Sequence, residues 1–500
     1  MDYKKLQNGS DIRGVALEGI EGQHVNLTEQ ACKDIGRGFA LWLIRKTGKS
    51  NLRVAIGRDS RLSGPTLCNW ICDAMIAQGL NVTNFGMAST PAMFMSTVTE
   101  GYQFDGSVMI TASHLPFNRN GFKFFTAEGG LEKADIKQIL EYAESDETTG
   151  LSAGTLSEAE FMDTYAEILA EKIRAAAGSN KPLEGFRIVV DAGNGAGGFY
   201  ADKVLRPLGA NTDGSRYLDP DGRFPNHIPN PEDKDAMASI IDAVKETKAD
   251  LGIIFDTDVD RAGAVLSDCS ELNRNRIIAM LSAILLREHP GTTIVTDSIT
   301  STGLAKFITT KGGVHHRFKR GYKNVINESI RLNGQGQDSQ LAIETSGHGA
   351  FKENYFLDDG AYIVTKLLIE LARAKKEGYT LESLIADLEE PAESVEFRMN
   401  IQVEDFKTYG QKVIDELNAY AATKNGWSLA DSNYEGVRVN LDEDHGNGWF
   451  LLRLSLHDPL LPLNIESNDV GGAKKIANEL VGFIAGYNKL DTTSLLNFVK

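Results

Sequence analysis

Three stretches of the chain share one plan, a β-rich strand that runs into a Gly- or Ser-bearing turn and then a helical pattern. This repetition constrains the fold more than any other feature. The stretches begin at Arg53 (RVAIGRD), Phe186 (FRIVVDAGNGAGG) and Thr292 (TTIVTDSITSTG). Strands alternating with helical patterns predict β-turn-α units in parallel or mixed sheets. The units lie roughly 110 to 130 residues apart, a domain-sized spacing and far too long for a solenoid repeat. A chain of 500 residues also exceeds what one hydrophobic core supports, so three or four domains are expected.

The chain turns polar at two places. ESDETTGLSAGTLSEAEF from Glu144 reads as a linker, and Ser157, Glu158, Ala159 and Glu160 within it read as a capping box for a long helix. That helix carries Phe161, Tyr165, Ile168, Leu169 and Ile173 on one face and stops at Gly178. A second break lies at Glu389-Glu390-Pro391-Ala392, beyond which the pattern changes to a helix, a hairpin and a helix. The expected fold class is α/β: three related mixed-sheet α/β domains at 1–155, 156–268 and 269–390, then a smaller C-terminal α+β domain at 391–500.

The longest apolar run, IIAMLSAILL at 277–286, is half the length of a bilayer span and suits a buried helix. The start MDYKKLQNGS lacks the apolar core of a signal peptide, so a cytoplasmic location and no membrane association are expected. Cys32, Cys68, Cys72 and Cys269 are too few and scattered for a disulfide framework, and the Cys68/Cys72 pair reads as core packing. The net charge of −17 disfavours nucleic acid and anionic membranes as partners, and it requires a locally basic pocket for any anionic substrate. No protein partner is evident.

Two segments carry chemistry. In SVMITASHLPFNRNG from Ser107, an interior-looking strand runs into Thr111, Ala112, Ser113 and His114. Open α/β sheets bind ligands outside the carboxyl ends of their strands, where Ser113 would sit. In LGIIFDTDVDRAG from Leu251, an apolar strand ends in Asp256, Asp258 and Asp260. If the extended conformation continues, alternation puts all three carboxylates on one side, where they repel one another unless a cation lies between them. Oxygen-only ligands suit Mg²⁺. An EF-hand is excluded, because its sixth and twelfth positions would be Arg261 and Ser267. Arg261 itself offers a planar fork to phosphate oxygens.

With both segments in view the sequence resembles the α-D-phosphohexomutase superfamily, the phosphoglucomutases and phosphomannomutases, over essentially its whole length. The family's T-A-S-H-N-P loop followed by N-G-x-K matches Thr111 to Lys123, with Leu115 in place of Asn. Its D-G-D-G-D-R loop matches Asp256 to Arg261, with Thr257 and Val259 in place of the glycines. Its G-E-x-S-G-H loop matches Glu344, Ser346, Gly347 and His348, with Ile343 in the first Gly position. Supporting matches run through Asp11-Ile12-Arg13-Gly14, Gly57-Arg58-Asp59, Asp191 to Gly195, Phe224 to His227 and Gly321-Tyr322-Lys323. The resemblance implies the family's four-domain architecture.

It also implies roles. Ser113 would carry a phosphoryl group. Mg²⁺ would be held by Asp256, Asp258, Asp260 and one oxygen on phosphorylated Ser113. His114 and Lys123 would move protons or stabilise charge, with Arg13 and Arg58 in support. Arg261, Lys323, Glu344, Ser346 and His348 would line the pocket and hold the sugar phosphate, while Arg453, Ser455 and His457 would grip the phosphate that is not reacting.

The fourth loop departs from the family's R-x-S-[GN]-T-E-P-x-x-R. Here RLSLHDPLLP from Arg453 keeps Arg453, Ser455 and Pro459 and loses the small residue, the Thr, the Glu and the second Arg. The implied activity is interconversion of hexose 1-phosphate and 6-phosphate through a hexose 1,6-bisphosphate that also serves as activator. The altered loop leaves open a second outcome, a glucose 1,6-bisphosphate synthase that releases the bisphosphate and takes its phosphoryl group from a donor such as fructose 1,6-bisphosphate. An aspartyl phosphatase of the D-x-D-x-[TV] type is disfavoured, because Asp260 stands where Thr or Val is needed.

Overall fold

A computed structural model describes residues 2–455 and 458–500 of the chain. The chain divides into two compact units, Met1–Ile277 with Ser346–Leu384, and Ile278–Thr345 with Ile385–Lys500.

The first unit is built on two sheets. The larger runs in the order Gln7–Asn8, Asp11–Val15, Arg119–Thr126, Gly106–Ile110, Arg53–Arg58, Asn81–Met87, Leu156–Glu158. It is mixed: Arg53–Arg58 is parallel to both Asn81–Met87 and Gly106–Ile110, whereas Arg119–Thr126 is antiparallel to both of its neighbours. The strand Gly106–Ile110 is buried along its whole length, as its apolar run predicts. Its neighbour Val54-Ala55-Ile56 is buried as well, and Phe39, Ile71, Phe122 and Phe124 pack around this centre. The smaller sheet sets Leu251–Phe255 parallel to Ile188–Asp191 and antiparallel to Ala262–Leu266.

The polar stretch from Glu144 behaves differently from a free linker. Leu156–Glu158 adds a parallel edge strand to the large sheet, and Thr149 N donates to Gln78 Oε1 at 2.9 Å. The expected capping box does not form, because Ser157 and Glu158 are committed to that strand. The helix begins at Met162 with Phe161 at its N-cap and no side-chain cap. Phe161 is fixed by packing instead, stacked 5.3 Å from Phe85 and edge-on 4.7 Å from Tyr102. Burying such a ring contributes roughly 1.5 to 3 kcal/mol, more than the ~1 kcal/mol of a typical cap. Tyr165, Leu169 and Ile173 face inward and the helix ends at Gly178 in the left-handed conformation, as expected, while Ile168 stays half-exposed. This helix packs against Gly360–Glu377, tied by a 2.7 Å bond from Tyr165 Oη to Asp359 Oδ1.

In the second unit, Thr293–Thr296 is parallel to Val314–Arg317 and to Ser339–Ile343. A five-stranded antiparallel sheet follows, in the order Glu393–Asn400, Leu460–Ser467, Gly448–Leu452, Val437–Leu441, Trp427–Leu429. The helices Phe406–Ala421 and Gly472–Ile484 cover it through Val413, Leu417, Ile476 and Leu480. This is the α+β pattern expected beyond Pro391. The run at 277–286 lies in the helix Arg274–Glu288 and is buried throughout. Cys68 and Cys72 are buried on the helix Gly64–Ala77 with their sulfurs 3.9 Å apart. Among the described residues no helix is long and apolar enough to cross a membrane.

Candidate active site

Two strand ends in the first unit meet at the site. The strand Gly106–Ile110 stops at Thr111, whose hydroxyl accepts from Ser113 N at 2.9 Å. Ser113 then takes a φ of +51°, a conformation that L-residues adopt only when their surroundings impose it. The second strand, Leu251–Phe255, also stops short. The extended conformation expected for 256–260 gives way to a turn, with Val259 at φ +68°. Neighbouring backbone pins this turn from two sides. Ala196 N donates to Thr257 O at 2.8 Å, and Gly360 N donates to Val259 O at 3.1 Å. Both approaches need glycine: a Cβ on Gly195 would lie 2.7 Å from Thr257 O, and one on Gly360 would lie 2.6 Å from the Arg261 carbonyl carbon.

The turn gathers the three carboxylates more tightly than a strand could, with one oxygen from each of Asp256, Asp258 and Asp260 within 4.8 Å of the others. All three side chains are wholly buried. Asp258 Oδ1 and Asp260 Oδ1 have no hydrogen-bond partner, the condition a bound cation would relieve. The other oxygens are engaged. Thr90 Oγ1 donates to Asp258, Lys123 Nζ pairs closely with Asp260 Oδ2 and lies 3.3 Å from Asp258 Oδ2, and Arg261 Nη2 donates to Asp256 Oδ2 at 3.0 Å.

Ser113 Oγ donates to Asp256 Oδ2 at 3.1 Å and accepts from Arg261 Nη2 at 2.9 Å. The same Nη2 donates to His114 Nδ1 at 2.7 Å. A guanidinium only donates, so Nδ1 is the acceptor and the imidazole proton is assigned to Nε2. Asn230 Oδ1 accepts from Arg261 Nη1 at 3.2 Å and completes the support of this guanidinium. Arg13 donates to Thr111 O and to Asp11 Oδ2, the latter at 2.8 Å. Arg58 turns to Asp59 O at 3.4 Å and lies along Gly64. His348 Nδ1 donates to Asp358 Oδ2 at 2.6 Å and stands 3.8 Å from Asp260 Oδ1. Ser346 is buried beside it in the chain.

Charge separates the members of this cluster. Burial, and then the charge of Asp260, push Asp256 well above the usual carboxylate range. Burial would raise Asp260 too, but Lys123, His348 and Arg261 hold it below that range. Burial opposes the charged form of His348, and Asp358 and Asp260 overcome it, raising its pKa to about 9. His114 moves the other way, to about 3, through lost hydration in the crowded cluster and then the charges of Arg261, His348 and Arg13. The residue keeps an exposed edge, so a neutral imidazole with a donor Nε2 is available at the mouth of the cluster.

The remaining candidates lie in the second unit. Glu344 is buried and accepts from Gly321 N at 2.6 Å, which sets the start of the helix that carries Lys323. Arg453 is 8% exposed with Nε unpartnered, and burial, followed by the charge of Arg320, lowers its pKa. Ser455 N donates to Leu460 O at 3.0 Å. His457 lies outside the described residues. Sequence reasoning missed Thr90, Asn230, Asp358 and Arg61. Only Arg61 carried a signal, standing two residues beyond the matched Gly57-Arg58-Asp59.

Comparison with known proteins supplies an independent view. Three family models match in order: phosphoglucomutase/phosphomannomutase alpha/beta/alpha domain I over residues 4–149, domain II over 163–268 and domain III over 273–391. A phosphoglucomutase of Neisseria gonorrhoeae is 31% identical over 94% of this chain and 95% of its own length. A phosphomannomutase/phosphoglucomutase of Pseudomonas putida is 32% identical over 87% of this chain and 89% of its own. The crystal structure of a phosphoglucomutase/phosphomannomutase family protein from Burkholderia thailandensis superposes with a TM-score of 0.79 at 27% identity, covering 98% of this chain and 100% of that one.

Proposed function

Because this chain belongs to the phosphoglucomutase/phosphomannomutase family, we propose that it interconverts hexose 1-phosphate and hexose 6-phosphate through a phosphoserine at Ser113. The observation that carries the reading is the position of Ser113 Oγ, within hydrogen-bond reach of both Asp256 and Arg261 beside two buried carboxylate oxygens that lack partners.

In this reading a sugar hydroxyl attacks the phosphorus on Ser113. The new bond to the sugar oxygen forms, the bond to Ser113 Oγ breaks, and the hydroxyl proton leaves to a base. The hexose 1,6-bisphosphate then returns its other phosphoryl group to Ser113. Arg261 supports the serine oxygen as it becomes the leaving group, and Lys123 offsets charge on the carboxylate side. His114, neutral and donating through Nε2, orients a phosphate oxygen. Asp256, Asp258 and Asp260, with an oxygen of the serine phosphate, would hold Mg²⁺, which neutralises charge during the transfer. Arg13 and Arg58 support the loop. Glu344 and Ser346 hold sugar hydroxyls, Lys323 and His348 line the sugar site, and Arg453 and Ser455 grip the other phosphate.

Retention of the bisphosphate is preferred to its release as product, since relatives matched along nearly the whole chain carry mutase names. Phosphorus NMR tests both points, with glucose 1-phosphate and a trace of glucose 1,6-bisphosphate in Mg²⁺. Accumulating glucose 6-phosphate at constant bisphosphate supports the mutase, and net bisphosphate formation from fructose 1,6-bisphosphate overturns it.

A further inference from the structure

Arg61 is wholly buried, and its guanidinium is spent on the backbone of the serine loop. Nη1 donates to Pro116 O at 2.8 Å and to Arg119 O at 3.0 Å. Nη2 donates to Leu115 O at 2.7 Å and, more closely, to Ser113 O. Four carbonyls of one short loop therefore converge on one cation. Backbone carbonyls pointed at each other repel, so the loop closes into this curl only with a donor fork at its centre. The fork is itself fixed. Asp59 Oδ1 accepts from Arg61 N at 2.9 Å, Asp59 Oδ2 lies 3.4 Å from Nε, and the Phe224 ring lies 5.2 Å from the guanidinium.

The bond to Ser113 O bears on the reacting atom. Ser113 holds a φ of +51°, and rotation about its N–Cα bond carries both Cβ and the carbonyl carbon, so a hold on the carbonyl restrains the base of the side chain as well. Relaxing φ toward the ordinary region would displace Cβ, from which Oγ reaches Asp256 and Arg261.

We infer that Arg61 is a positioning residue for phosphoryl transfer, the internal cation around which the serine loop is wound so that Ser113 Oγ points at the carboxylate cluster. This rests on Ser113 being the residue that carries phosphate. Lysine cannot replace it, since an ammonium at the end of a flexible stem cannot present two parallel pairs of donors to four carbonyls.

The test compares the full-length parent with Arg61→Lys, Arg61→Gln and Gly222→Ala. The last keeps the guanidinium but displaces its backbone, because a Cβ on Gly222 would meet Ser60 O at 2.4 Å and Leu62 N at 2.5 Å. Each is incubated with glucose 1,6-bisphosphate and Mg²⁺, the phosphate on Ser113 is followed by mass spectrometry in rapid-quench samples, and kcat, KM and Tm are measured. The expected result is a fall in the transfer rate and in kcat of about 10- to 100-fold with KM within roughly threefold of the parent, and no rescue by lysine. Folded variants that take up and pass on phosphate at the parent rate overturn the inference, as does a loss of activity that merely tracks Tm. Should both Arg61 variants fail to fold, Gly222→Ala decides by the same criteria. A parent that turns over without phosphate on Ser113 overturns the phosphoserine reading, and the positioning role falls with it. A phosphorylated parent with unaffected variants overturns the positioning role alone.

Discussion

Ser113 Oγ donates to Asp256 Oδ2 at 3.1 Å, a contact between residues 143 positions apart in sequence. Each sits where a buried strand stops, so the chain delivers a hydroxyl and a crowded carboxylate to the same point from two different sheets. That meeting is what a strand-end site in an α/β architecture provides, and it makes the serine separable from the packing that holds it.

Replacing Ser113 with alanine should therefore remove turnover while sparing the fold. Its hydroxyl has three partners, Asp256, Arg261 and, at 3.4 Å, His114, and Arg261 stays bonded to the other two when it is gone. The expected loss in kcat is at least about a thousandfold, with stability unchanged to within about 1 kcal/mol. Steady-state kinetics and thermal melts check both halves. A variant that keeps a tenth of parental activity would sink the assignment.

The carboxylate turn predicts a trade between stability and activity. Asp256 has its pKa raised by burial and by Asp260, so the folded state holds its proton more tightly than the unfolded chain does. At pH values above that raised pKa, folding then forces an unfavourable charge on the group, whereas at low pH the cost vanishes. Asp256→Asn should stabilise the chelated protein at pH 8 by about 1 kcal/mol, and it should lower activity in Mg²⁺ by at least about a hundredfold. Melting in EDTA beside kinetics in Mg²⁺ reads both effects. Equal or lower stability in EDTA would show that Asp256 is not strained by its neighbours.

Arg453 carries the departure of the fourth loop into an experiment. Its guanidinium is buried, its Nε has no partner and its pKa is lowered by burial and then by Arg320, so a phosphate would satisfy it. Arg453→Gln should raise KM for hexose phosphate roughly 10- to 100-fold, the size expected for one charge-assisted contact. Titration with inorganic phosphate gives a second reading without turnover. Unchanged phosphate affinity would remove Arg453 from the substrate site.

Much of this was legible in the sequence, and the limits have physical causes. The strand Gly106–Ile110 was readable because burial on both faces leaves a continuous apolar run. The gathering of the three aspartates was readable because their composition and spacing crowd three carboxylates onto one short segment. Their geometry was not, since the turn at 256–260 is imposed by Ala196, Gly195 and Gly360, which approach from remote parts of the chain. The capping box at Ser157 failed for a similar reason: the edge of a sheet competed for the same residues. Arg61 escaped notice despite standing beside the matched Gly57-Arg58-Asp59, because its partners are four backbone carbonyls, which leave no pattern in side-chain identity.

The loop that braces Arg261 should make the first unit sensitive to alkaline pH through His227. Burial disfavours the charged imidazole, but the 2.9 Å bond from Nε2 to Asp191 and the charge of that carboxylate outweigh it and raise the pKa. Nδ1 donates to Ile228 O at 2.9 Å, and Ser239 Oγ donates to the other Asp191 oxygen at 2.6 Å. Three residues on, Asn230 accepts from Arg261. A raised histidine pKa stabilises the fold fully below the unfolded value of about 6.5, and that contribution is lost as pH climbs through the folded value. The first thermal transition should therefore fall by roughly 1 to 3 °C between pH 6 and pH 9 more than it does in His227→Gln, which keeps a donor toward Asp191 but cannot titrate. Melting curves of both proteins across that range decide the matter. Parallel curves would mean that the Asp191–His227 pair contributes no linked stability.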